Sequence, residues 1–122
     1  MPGRKPDFNP QALLPLPTAA FHILVALADA DRHGYAIMRD VAAGTDGRLK
    51  LNPGTLYTTM RRLLEQGLVA ELDERPDPEE DDERRRYYRL TDEGRAVAKA
   101  EAARLQHMLA FARQAGLAPR RS

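Results

Sequence analysis

Two short stretches carry the side chains best placed to do chemistry. Residues 52–66 read NPGTLYTTMRRLLEQ, and residues 84–90 read RRRYYRL. In the first, Leu56, Met60, Leu63 and Leu64 fall on one side of a helix turned at 100° per residue, while Gly54, Thr58, Arg61 and Arg62 point the other way. Such an outer face suits the major groove of DNA, which admits a helix. Gly54, Thr55 and Thr58 permit close approach, and Arg61 or Arg62 can fork onto guanine or a phosphate oxygen. Tyr57, at the edge of the face, can hydrogen-bond the DNA backbone or pack as an aromatic, and Lys50 adds charge just ahead of the helix. Arg84, Arg85 and Arg86 enter a strand where arginine would gain from the negative potential of a narrow minor groove. The plainer reading of each cation is a solvated surface.

Other chemistries find little support. The histidines stand scattered at 22, 33 and 107, and His22, inside an apolar run, reads as a packed core residue. There is no cysteine, no G-x-S-x-G, no H-E-x-x-H and no phosphate-cradling glycine loop. The expectation is therefore no enzyme, no catalytic residue, no metal and no cofactor. Residues 77–83, DPEEDDE, lack the ligand spacing of a calcium loop.

The charge balance agrees with a nucleic-acid partner. The 122 residues carry 19 Lys and Arg against 18 Asp and Glu. Six of those acids sit in residues 77–83, so the rest holds 19 bases against 12 acids. The acidic run would be repelled by phosphate, and it is expected to swing away from DNA. The absence of cysteine suits a reducing cytoplasm, no stretch is apolar enough to span a membrane, and no secretory signal is expected, because no apolar run follows residues 1–8.

These side chains need elements to hold them. Residues 1–15, rich in proline, read as a loose arm, from which Arg4 and Lys5 could reach a minor groove. A first helix is predicted over 17–29 with Thr18 as its cap. A second is predicted from Gly34 to Gly44, with Tyr35, Met38, Val41 and Ala42 on one face. Leu49 to Leu51 alternates as a small strand would. Asn52 and Pro53 open the third helix as N-cap and first position, and Gly67 stops it. Residues 68–75 and 84–90 flank the acidic segment as a β-hairpin. Thr91 caps a last helix running to about residue 115, with Asp92 and Glu93 suiting its dipole.

On that last helix Ala98, Ala102, Leu105, Leu109 and Ala112 recur at spacings of 4, 3, 4 and 3, with Met108 beside them. This is a heptad-like seam, and a second copy of the helix is its simplest partner; packing on the first helix of the same chain is the alternative. The expected fold is mainly α with a small β-hairpin: a winged helix-turn-helix over 16–90, a dimerisation helix over 91–115 and a flexible tail over 116–122.

The segments HGYAI (33–37), LNPGTLYTTMRRLLEQGLV (51–69) and RRYYRLTDEGR (85–95) resemble the PadR-like family of bacterial transcriptional regulators. The resemblance covers roughly residues 12–115 and is most specific at N-P-G-T-L-Y and Y-Y-R-L-T-x-E-G. It implies a winged helix that binds a pseudo-palindromic DNA operator as a homodimer, usually as a repressor. It also implies a recognition helix over Gly54 to Arg62, a wing holding Arg84 to Arg86, and dimerisation through 91–115. This chain resembles the short-tailed subgroup. It departs from the family at Thr58, where proline is frequent, and in its longer, more acidic wing, which leaves the operator and the wing contacts open. Some relatives bind planar effectors, for which Phe8, Phe21, His107, Met108 and Phe111 are the available side chains; each also reads as packing, and no effector is assigned. The competing reading is a winged-helix module for protein contact.

Overall fold

The computed structural model describes residues 8–72 and 86–119. A 3-10 helix at Pro10–Leu13 leads into α1 (Thr18–Ala26), β1 (Arg32–His33), α2 (Gly34–Gly44), α3 (Pro53–Glu65), β2 (Val69–Glu71), β3 (Tyr87–Leu90) and α4 (Asp92–Gln114). The helical architecture with a small sheet is the one expected. The sheet is antiparallel and larger than a hairpin, with strand order β1-β3-β2. Val69 pairs with Leu90, Ala70 with Arg89 and Glu71 with Tyr88, while Arg32 and His33 pair with Tyr88 and Tyr87 on the far side of β3.

The core sits where α1, α2, α3 and the first half of α4 meet the sheet. Ile23, Leu24, Ile37, Leu56, Met60, Leu63, Leu68 and Val97 are its fully buried side chains. Burying each large aliphatic side chain contributes about 1.5–3 kcal/mol. Charged groups fasten the turn between α1 and β1 to this core. Arg32 meets Asp29 at 3.0 Å and Asp40 at 2.9 Å, Arg89 meets Asp31 at 2.9 Å, and Arg95 donates to the Ala28 carbonyl.

Four expectations change. Leu49 to Leu51 forms no strand, because Thr45 Oγ1 accepts the Leu49 N–H at 3.0 Å and no strand lies alongside. The extra strand is Arg32–His33, which β3 recruits. The cap of α1 is Pro17 rather than Thr18, which lies inside the first turn, where its carbonyl accepts from His22 Nδ1. On α2 the buried line is Gly34, Ile37 and Val41, so Tyr35 is turned outward and is 54% exposed.

Residues 8–15, read as part of a loose arm, are instead folded against the body. Phe8, Leu13, Leu14 and Leu16 pack on the core, and the 3-10 helix lies on α4. What fastens them is Glu101, buried on α4. Its carboxylate accepts the Leu16 N–H at 3.1 Å and is gripped by Arg104 through two nitrogens at 2.6 and 3.0 Å. The Arg104 hydrogen bonds hold the Glu101 carboxyl below the usual range, burial opposes them, and the Leu16 N–H adds to the lowering. A depressed carboxyl stabilises the fold above the unfolded value of about 4.3, and that contribution is lost as pH falls through the folded value. A hydrogen bond to a charged group contributes about 1.5–3 kcal/mol. Glu101→Gln should therefore lower the melting temperature by several degrees at pH 7. In melting curves taken at falling pH, the gap to the parent should close below pH of about 4. A gap that persists unchanged into strong acid would mean that packing, not charge, is what the carboxylate supplies.

Candidate nucleic-acid interface

The third helix begins as its opening residues dictate. Asn52 Oδ1 accepts the Thr55 N–H at 2.8 Å, and Pro53 takes the first helical position, where its missing N–H is not needed. It ends at Gly67, whose φ of 77° lets the Gly67 and Leu68 N–H groups close on the Leu64 and Leu63 carbonyls. Leu56, Met60 and Leu63 anchor the inner side, and Leu64 packs at its edge.

Between these anchors the outer face is displayed as expected. Gly54, Thr55, Thr58, Arg61 and Arg62 are all exposed. Arg61 and Arg62 have no ion pair among the described residues. The two arginines diverge, since Arg62 also lines a cleft of about 230 Å³ shared with Leu13, Leu16 and Pro17. Lys50 is exposed ahead of the helix and lines a second cleft, against α2.

Tyr57 is corrected. Its hydroxyl is buried, and a Cβ added at Gly34 would stand 2.5 Å from that oxygen. The ring braces α3 against the start of α2, so the hydroxyl does not sit on the outer face. Glycine at 34 is what admits the ring. Arg86 stands at the root of the wing, with Nη1 3.4 Å from Glu71 Oε2 across the strands. Arg84, Arg85 and the acidic segment 77–83 lie outside the described residues.

Two features escaped the sequence reading. His33 caps α2, its Nδ1 accepting the Ala36 N–H at 3.1 Å, and its ring stands edge-on to Tyr87. Arg39 is exposed on α2 beside Lys50. The signal for Arg39 was present: a stripe led by Ile37 rather than Tyr35 puts Arg39 on the outside.

The seam on α4 divides at Glu101. Ala98 packs against the core, whereas Ala102, Leu105, Met108 and Leu109 are exposed and Ala112 is half-buried. Leu105 is 38% exposed, Leu109 42%, Met108 54% and Phe111 75%. The helix carries this apolar row past the domain with no covering element among the described residues.

A buried helix pair, an outward third helix and a three-stranded antiparallel sheet define a winged helix-turn-helix protein. The chain belongs to the PadR-like family of transcriptional regulators, whose model matches residues 23–100. It is 38% identical over 80 residues to an uncharacterized 37.1 kDa protein in transposon Tn4556 of Streptomyces fradiae. That match covers 66% of this chain and 21% of the other, so the chain spans about a fifth of that relative's length. Among solved structures, a transcriptional regulator from Clostridium thermocellum superposes with a TM-score of 0.66 at 25% identity, covering 79% of this chain and 87% of that one. A PadR family regulator from Eggerthella lenta gives 0.62 at 28% identity, covering 86% and 82%. A third, from Clostridium difficile, gives 0.66 at 21% identity with 80% and 97% covered, a likeness of fold. Among the described residues no helix is long and apolar enough to cross a membrane.

Proposed function

We propose that this protein is a transcriptional repressor that binds a pseudo-palindromic DNA operator as a homodimer in the cytoplasm. The observation that carries the reading is the outer face of α3, where small residues, Arg61 and Arg62 stand exposed on a capped, firmly anchored helix. The family and the solved relatives named as transcriptional regulators support it. The DNA-binding unit comprises residues 16–90, and the open apolar row over 102–112 supplies the contact between two copies. Two recognition helices would then enter successive major grooves about 34 Å apart.

The reading is tested by binding of the pure protein to the DNA flanking its own gene, at two salt concentrations with random DNA as competitor. Tight binding that falls steeply with salt and resists competitor is expected, because phosphate contacts release counterions. Salt-independent capture of a protein instead of DNA would favour the protein-contact module. Arg61→Ala should weaken operator binding by about 1–3 kcal/mol and relax preference at one base pair. Equal losses on every sequence, measured by competition among point-mutated duplexes, would make Arg61 a phosphate contact only.

A further inference from the structure

Arg62 belongs to two faces of α3. On a wheel of 100° per residue it stands between the outer face that holds Gly54 and Arg61 and a flank that holds Thr59, Leu63 and Gln66. That flank looks across a cleft of about 230 Å³ at Leu13, Leu16 and Pro17, which run from the 3-10 helix into α1. Leu63 is buried in the core, and Leu13 and Leu16 are half-buried against it, so the fold itself builds the floor.

The two walls differ in chemistry. The Leu13, Leu16 and Pro17 side is aliphatic. The α3 side offers hydrogen-bond donors: the hydroxyls of Thr58 and Thr59, the Gln66 amide and the Arg62 guanidinium. Among the described residues no carboxylate lines the cleft, and Arg62 has no ion pair. No aromatic ring lines it either, so a planar ring finds nothing there to stack on. An occupant that matches both walls has one anionic group, suited to the arginine fork, on an aliphatic body. An apolar cavity of roughly 150 Å³ admits a six-carbon ring, so this cleft has room for a carboxylate on a chain of about six to eight carbons. We infer that the cleft binds a medium-chain aliphatic monocarboxylate, its chain along Leu13, Leu16 and Pro17 and its carboxylate on Arg62. A carboxylate there competes with DNA phosphate for the same guanidinium, so the ligand weakens DNA binding. That consequence rests on the DNA-binding reading, whereas the site itself does not.

The test uses the full chain and three probes: butyrate, hexanoate and octanoate, each below its micellar concentration. Calorimetry should give one site per chain, with affinity rising about four-fold for each methylene until the cleft is full. Arg62→Gln should weaken octanoate binding about ten-fold or more, through loss of the charge-assisted pair. Arg61→Gln, one residue along and outside the cleft, should bind octanoate as the parent does. Both positions are exposed, and matching melting curves would show that both variants fold. In isotope-labelled protein, the amide shifts caused by octanoate should gather at residues 13–20 and 58–66. Equal octanoate affinity in the parent and both variants would overturn the site, as would shifts gathered on the apolar row over 102–112. Saturating octanoate should also weaken binding to a short random-sequence duplex several-fold, and the duplex should weaken octanoate by the same factor. Unchanged duplex affinity would overturn the competition. A parent that takes up octanoate in the cleft yet binds no duplex would overturn the proposed function and leave the site standing.

Discussion

Replacing Leu105 and Leu109 together by lysine is expected to split the proposed dimer and to weaken binding to the proposed operator by orders of magnitude. Both side chains stand on the part of α4 that has left the domain, and neither belongs to the core. Leu105 is 38% and Leu109 42% exposed, so covering what is open contributes roughly 1 kcal/mol for each leucine, and a symmetric contact would cover four. The double variant removes that burial and sets like charges facing one another. Affinity suffers because two linked DNA-binding units gain about 10²–10⁴ over one through effective concentration. The mass in solution, from sedimentation or light scattering, decides it. An unchanged mass would refute a dimer built on this helix. Circular dichroism should show the helices retained, since neither leucine belongs to the core formed by the described residues.

The second large effect is expected at Gly94, where alanine should destabilise the whole fold. Gly94 lies in the first turn of α4, its N–H held by Thr91 Oγ1 at 3.0 Å. Thr91 in turn donates through its N–H to the Leu68 carbonyl and through its hydroxyl to the Gly67 carbonyl. A Cβ at Gly94 would drive into the Leu68 carbonyl oxygen and stand 2.7 Å from Leu90 Cδ1. The first of these neighbours is backbone and cannot swing aside. Relief would require pulling α4 away from the Leu68 backbone, which leads directly into β2. Overpacking in a core costs typically 1–3 kcal/mol, and the upper end or beyond is expected where backbone is the obstacle. A loss of roughly 3 kcal/mol would remove a large fraction of the stability of a domain this size. Denaturant melts of Gly94→Ala against the parent measure it directly. A shift of under about 0.5 kcal/mol, the range of an ordinary surface substitution, would mean that the helix start gives way easily.

Gly94 also shows how a motif and its reason can come apart. The run Y-Y-R-L-T-x-E-G is legible in the sequence as a family resemblance. The physical demand for glycine becomes visible only when the Leu68 backbone is laid under α4.

The parts that could be read from the chain alone are those governed by neighbours in sequence. Asn52 followed by Pro53 makes the start of α3, spacing of three and four residues sorts Leu56, Met60 and Leu63 from Thr58 and Arg61, and Gly67 ends the helix. Thr91, Asp92 and Glu93 start α4 in the same local way, and the apolar row beyond Glu101 follows from its own period. These choices are settled within a turn or two of helix, by hydrogen bonds and side-chain direction. The tertiary structure decided whatever depends on a partner distant in sequence. Two residues, Arg32 and His33, are a strand only because β3 runs beside them. Tyr57 became a brace when Gly34 came within reach of its ring, and Tyr35 turned outward because α1 and α3 claimed the Ile37 stripe. Residues 8–15 ceased to be an arm when Glu101, eighty-five positions from Leu16, offered a buried carboxylate to the Leu16 N–H just after them. A lone glutamate on an amphipathic helix carries no sign of that role. Burial and pairing are properties of the assembled fold, and only there do desolvation and hydrogen bonding tell one carboxylate from another.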